Sequence, residues 1–388
     1  MSERLAERLT GEELAALVRR VFLPRPGEAD LGLMIDLPDA KVPDDAKWLA
    51  QRETALEWVT LLSERRDDLG FDTHLILYPN VHTNNGNLPE RAWLHAGAPL
   101  PERGEDLDPA TSIPLEAIYA SHSMFMALTR FSSTAPLKMA AKVHPIRAAT
   151  MPGFRSDMIP ALRLDYTEVN RRVQRLKGLL DRATGANLRF AHPGGDATLH
   201  LDLRWRSGHA SGGLLPEPGA AGNLPSGEAY IVPYEGEGEP SLSQGTLPVQ
   251  FGSEIVLYRI AGNKAVEVLS EGPRSAQEAA HILKEPAYAN LAELGLGVLA
   301  AFGVKPIGEV LLDEKLGVHI AFGRSEHFGG QVGPQHFSSP EAVIHIDRVY
   351  VPETQPDVKV LSLDLRMDDG ADFPLLRNGD YVLDWAVS

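Results

Sequence analysis

Up to about residue 185 this chain alternates short apolar runs with amphipathic helical stretches, and beyond that point period-two alternation takes over. Residues 31–36 (LGLMID) and 73–78 (THLILY) read as buried strands. Between them Trp48, Leu49, Ala55, Leu56, Val59 and Leu62 recur at helical spacing until Gly70 stops the pattern. A second helix is expected from Pro114, a favoured first-turn residue, through Ile118, Met124, Met126 and Leu128. A third is expected over 165–183, where Asp165 and Glu168 have capping-box spacing and Val169, Val173, Leu176 and Leu180 form one stripe. Residues 1–20 read as a further amphipathic helix through Leu5, Leu9, Leu14, Ala16, Leu17 and Val18. Strand and helix in alternation build an open α/β layer with a mostly parallel sheet. The segments 197–205 (ATLHLDLRW), 255–259, 343–351 and 358–365 instead alternate as half-buried strands do. The expectation is an α/β chain in two parts: an N-terminal open α/β domain over 1–186 and a C-terminal β-rich α+β domain over 187–388. The Gly-, Pro- and Ala-crowded stretch 208–226 is expected as a long loop inside the second.

Acidic side chains outnumber basic ones, 53 to 37, and the formal charge of −16 is spread along the 388 residues. Such a field repels polyphosphate and anionic lipid, so neither nucleic acid nor a membrane is an expected partner. No stretch approaches the roughly 20 apolar residues that span a bilayer. The N-terminal stretch has no apolar core of signal-peptide length, and a cytoplasmic protein is expected. With no cysteine in the chain, disulfides, thiol catalysis and thiolate metal sites are excluded. Any metal must rest on carboxylate oxygen and imidazole nitrogen.

Those donors concentrate in the second half. His345-Ile346-Asp347 lies in an alternating run, so the imidazole and the carboxylate project from one face, flanked there by Val343 and Val349. A metal ion is one of the few partners that suits both groups away from water. His319 stands in the apolar run GVHIAFG, a setting in which a lone histidine is more often a hydrogen-bonded core residue than a ligand. Glu228 follows NLPSG, and Glu293 precedes LGLG. Glutamate between apolar residues and glycine is unusual for a solvated surface, the ordinary alternative being a cap or a turn. Five donors from four segments exceed what one tetrahedral ion takes from protein. They suit two adjacent ions bridged by carboxylate and water.

At these same residues the chain resembles the M29 metallo-aminopeptidases. The stretches that carry the resemblance are TAP (134–136), RAATMPGF (147–154), NLPSGE (223–228), AELGLG (292–297), GEVLLDEKLGVHIAFG (308–323) and HID (345–347), in matching order. The resemblance covers roughly residues 130–350. It implies that Glu228, Glu293, His319, His345 and Asp347 bind two divalent ions, zinc or cobalt foremost, with manganese and iron also accepted by such donors. It further implies removal of N-terminal residues from short peptides or small amides, within a homodimer. A carboxylate near the bridging water would act as general base, and Glu293, Glu228 and Glu326 are the candidates. Glu326, followed by His327 and Phe328, stands where the family carries a tyrosine.

Two other readings stand beside this one. The same fold family resembles ring-opening dihydroxypyridine dioxygenases, whose single non-haem iron needs two histidines and one carboxylate. His345 and Asp347 would serve there, but those enzymes carry histidine where Glu293 stands. The third reading is a homologue that keeps the scaffold for binding metal or ligand without turnover. Gly295-Leu296-Gly297-Val298-Leu299-Ala300 matches GxGxxA but follows a helix-like segment, which argues against a dinucleotide site. No GxSxG elbow is present. Tyr230, Tyr234, His327 and His336 are candidates to line the pocket.

Overall fold

The computed structural model describes residues 7–95, 97, 99–339 and 342–386. Two units divide it: one holds the chain up to Thr167 together with Gly213–Ser226, the other Glu168–Gly212 together with Gly227 onward. The boundary expected near 187 falls instead inside a strand, Ala183–His192, that pairs on both sides within the second unit.

In the first unit seven strands run in the order Ala221–Asn223, Arg147–Thr150, His122–Ala127, Asp30–Leu37, Thr73–Pro79, Arg91–Leu94 and Ile113–Pro114. The first five are mutually parallel and the last two join antiparallel. Leu31, Leu33, Met34, Ile35 and Leu37 are all buried, as a strand covered on both faces requires. The helix Ala46–Ser63 starts where the Asp45 carboxylate accepts from the backbone of Lys47 and Trp48, and it buries Trp48, Ala55, Trp58 and Leu62.

Three expectations change here. The helix expected from Pro114 covers only Leu115–Ser121, and Met124 and Met126 belong to the strand His122–Ala127. Met124, Phe125 and Met126 are all buried, and pairing with Asp30–Leu37 and Arg147–Thr150 outweighs their helical spacing. The N-terminal helix spans Gly11–Phe22 behind a Thr10–Glu13 capping box, and Leu5 lies outside the described residues. The stretch 208–226 is not one loop of the second unit. Its later part joins the first, where Ala221–Asn223 adds a parallel edge strand to Arg147–Thr150.

The second unit holds the helix stripe expected after Asp165: Val169, Val173, Leu176 and Leu180 are fully buried. Its larger sheet has eight antiparallel strands, ordered Lys264–Val268, Glu254–Ala261, Gln244–Phe251, Gly195–Asp202, Ala183–His192, Lys359–Met367, Asp372–Arg377 and Asp380–Tyr381. Its smaller sheet has five, ordered His345–Val349, Val318–Gly323, Leu291–Gly297, Glu228–Ile231 and His209–Ser211. Phe322 of the smaller sheet packs against Tyr258 of the larger, ring centroids 5.2 Å apart, so one face of the five-stranded sheet is core. The architecture is mixed α/β throughout. Among the described residues no helix is long and apolar enough to cross a membrane.

Candidate metal centre

Directly paired residues of neighbouring antiparallel strands share a face. In the five-stranded sheet Glu228 pairs with Gly297 and Tyr230 with Gly295, while Gly295 pairs with His319 and Glu293 with Ala321. Ala321 pairs in turn with Asp347, and Gly323 with His345. All five expected donors therefore emerge on one face, with glycine and alanine between them. The small residues make the room. A Cβ on Gly295 would stand 1.8 Å from His319 Nε2, and one on Gly297 would stand 2.2 Å from the Lys315 backbone. The GxGxxA string is thus a strand cleared for an imidazole and a neighbouring chain segment.

The donor atoms converge in two groups, Glu228 with Glu293 and His319, and Glu293 with His345 and Asp347, each within 4.8 Å. Glu293 belongs to both. Its Oε1 is 3.1 Å from His319 Nε2, and its Oε2 is 3.4 Å from His345 Nε2. His319 Nε2 also faces Glu228 Oε2 at 3.5 Å and Asp347 Oδ1 at 4.0 Å, and the latter oxygen lies 3.6 Å from His345 Nε2. Both imidazoles turn their other nitrogen to the backbone, His345 Nδ1 to the Arg324 carbonyl at 2.7 Å and His319 Nδ1 to that of Gly317 at 3.4 Å. That arrangement fixes the rings and directs Nε2 into the cluster, as the histidine ligands of metal sites are held.

Burial makes the charge balance decisive. Burial opposes the charge on His319, yet Glu293, Glu228 and Asp347 together hold its imidazole up to about 10. Burial is likewise overcome at His345, which Asp347 and Glu293 hold well above its ordinary value. Burial would raise Glu293, but hydrogen bonds from His319 and His345 keep it well below the usual carboxylate range. Protons on the two imidazoles thus offset part of the carboxylate charge, and divalent ions would replace those protons at the same Nε2 atoms. The donor set fits such ions by one further test: Glu228 Oε2 is buried with no hydrogen-bond partner.

Sequence reading missed Lys315. Its ammonium is buried and hydrogen-bonds both Glu228 Oε1 and Glu314. Burial works against that charge, and the two carboxylates still raise the lysine above its ordinary value. Burial, with Glu228 and Asp347 nearby, pushes Glu314 up to about 8, although Lys315 pulls the other way. The triplet Asp313-Glu314-Lys315 stands in a stretch that carries the resemblance, and the structure shows Asp313 and Lys315 to be interior.

Glu326 belongs to neither donor group. Its carboxylate is paired fork to fork with the Arg324 guanidinium, which holds it below its ordinary value against burial. The side chains beside His345 are His327 and Phe328, with ring centroids 5.4 and 5.6 Å away. Tyr230 stacks on His209 at 5.0 Å and meets Phe328 edge-on at 4.8 Å, giving the cluster an aromatic wall. Tyr234 and His336 serve local turns instead. The Tyr234 hydroxyl accepts from the backbone of Gly238 and Glu239, and His336 Nδ1 accepts from that of Gly333.

No family model matches the chain, and no curated protein matches it in sequence. Solved structures do. The 2,5-dihydroxypyridine dioxygenase from Pseudomonas putida KT2440 superposes with a TM-score of 0.63 at 14% identity, over 98% of this chain and 100% of that one. Wild-type AmpT from Thermus thermophilus superposes with a TM-score of 0.55 at 17% identity, over 96% of this chain and 99% of that one. At such identities the likeness is one of fold, and that to AmpT is a distant fold relationship.

Proposed function

We propose that this chain is a metal-dependent hydrolase of short peptides or small amides, aminopeptidase-like, with two divalent ions held by Glu228, Glu293, His319, His345 and Asp347. The observation that carries the reading is Glu293, whose two oxygens face the Nε2 atoms of two different histidines at 3.1 and 3.4 Å. One carboxylate so placed would serve two adjacent ions. A bound pair of that kind polarises a scissile carbonyl and lowers the pKa of the attacking water. The chain's own part is to fix the donors. Lys315 holds Glu228 and leaves its Oε2 without a hydrogen bond, while the Arg324 carbonyl orients His345. Tyr230, His209 and Phe328 offer an aromatic wall against which a substrate side chain would pack.

A second reading, a mononuclear iron dioxygenase, has one observation in its favour: the higher TM-score of the dihydroxypyridine dioxygenase, 0.63 against 0.55 for AmpT. Metal counting by elemental mass spectrometry separates the two. The hydrolase reading expects a loss of about two ions per chain in Glu293→Ala and in His345→Ala and no loss in Glu326→Ala, with hydrolysis of unblocked short peptides following the metal. One iron per chain that is lost in the same two variants, together with oxygen-dependent cleavage of a dihydroxylated pyridine, would establish the second reading. Failure to load zinc, cobalt or iron at these residues would remove both and leave a binding scaffold.

A further inference from the structure

Asp30, His74 and His122 belong to the first unit and have no part in the carboxylate-rich centre. They come from three adjacent parallel strands. Asp30 pairs with His122 and Gly32 with His74, and residues 30 and 32 alternate back to one face, so the three side chains emerge together where those strands begin.

The geometry is that of a ligand set. His74 Nδ1 and His122 Nε2 are 3.0 Å apart, and Asp30 Oδ2 is 3.7 Å from His74 Nδ1. Two metal–imidazole bonds of about 2.0–2.1 Å, opened at the angle of a tetrahedral or octahedral ion, separate their nitrogens by about 3 Å. Each inner group is already anchored on its far side. His122 Nδ1 is 3.0 Å from the Ile118 carbonyl, which directs Nε2 at the cluster. The other Asp30 oxygen, Oδ1, accepts from the Asp72 backbone at 3.0 Å, leaving Oδ2 toward the histidines. His122 is buried, whereas the side chains of His74 and Asp30 are 37% and 32% exposed, so the set has a fixed floor and an open mouth.

We propose that Asp30, His74 and His122 form a second metal site, which takes one exchangeable zinc-like divalent ion and clips together the starts of three parallel strands. Two imidazoles and one carboxylate are borderline donors that favour late first-row ions over calcium or magnesium. The open mouth leaves the remaining coordination position to water.

The test uses Zn²⁺ alone, titrated in competition with a chromophoric chelator into the full chain carrying Glu293→Ala and His345→Ala. This site is expected to bind one equivalent there, so its failure is distinguishable from that of the hydrolase reading. His74→Ala and Asp30→Asn should each weaken that equivalent by at least about tenfold, and His122→Ala by more than about 100-fold. If the buried His122 variant misfolds, the more exposed His74 carries the test. If the double variant misfolds, zinc is counted in wild type against His74→Ala, where a loss of one equivalent is expected. No zinc equivalent in a folded double variant, or a zinc count and affinity indifferent to His74→Ala, would overturn the proposal.

Discussion

Each unit buries a carboxylate within a strand, Asp36 in the first and Glu293 in the second, but their partners differ in charge. Asp36 accepts from the backbone of Arg130 at 2.7 Å and of Phe131 at 3.0 Å, and from the Trp48 indole at 3.0 Å. These donors are neutral, and burial pushes the acid up to about 6 in spite of them. Glu293 faces two imidazoles, and their charge holds it well below the usual range although burial opposes this. Neutral donors position a buried carboxylate without balancing its charge, whereas cationic partners keep it ionised and can be exchanged for metal. Asp36 therefore ties a loop and a helix to its strand, and Glu293 organises a centre.

Removing the charge while keeping the shape should separate the two most sharply. Glu293→Gln should weaken metal loading of the second unit by about 1,000-fold or more, since the carboxylate shared by both donor groups is lost, whereas Asp36→Asn should leave the metal content unchanged. Elemental analysis after dialysis reads both, and equal metal loss in the two variants would break the distinction.

The next contrast concerns room. Gly295→Ala would drive a Cβ to 1.8 Å from His319 Nε2, inside a cluster pinned from several strands. Gly32→Ala in the first unit would meet the Ile76 Cδ1 at 2.5 Å, the far end of a flexible side chain. We expect Gly295→Ala to cost about 3 kcal/mol or more and to abolish metal loading of the second unit, and Gly32→Ala to cost about 1–2 kcal/mol with its neighbours repacked. Denaturant melts with metal counting check this. Equal costs would mean that the cleared face of the second unit is no tighter than an ordinary core.

The last contrast is a pH dependence. Because Asp36 titrates at about 6 when folded against an ordinary 3.8, its contribution to stability is full below 3.8 and is lost as the pH rises through about 6. At about 1.4 kcal/mol per unit, wild type should lose about 2–3 kcal/mol relative to Asp36→Asn between about pH 4 and pH 7. Parallel stability curves for the two proteins would show that the three N–H donors do balance the charge after all.

Part of the site was legible because a strand's period is two. HID assigns an imidazole and a carboxylate to one face whatever strands lie beside it, whereas the strand that carries Glu293, Gly295 and Gly297 shows only in the structure. Glu326 was placed by resemblance to a motif position, and the Arg324 guanidinium two residues earlier takes its carboxylate. Glu314 and Lys315 lie within a stretch that carries the resemblance, but a run of charges reads the same whether solvated or enclosed, and no role was drawn for them.

The chain's alternation of patterns, its lack of thiols and the excess of carboxylates fixed a mixed α/β protein whose metal chemistry could rest only on oxygen and imidazole. Those properties are local or compositional, so they survive without any knowledge of neighbours. Tertiary structure alone decided that 122–127 extends rather than coils, that 221–223 returns to the first sheet, and that Asp30, His74 and His122 meet. Each depends on hydrogen bonds between strands far apart in sequence. Which strands become neighbours is set by the burial of the whole sheet, a sum that no single segment contains.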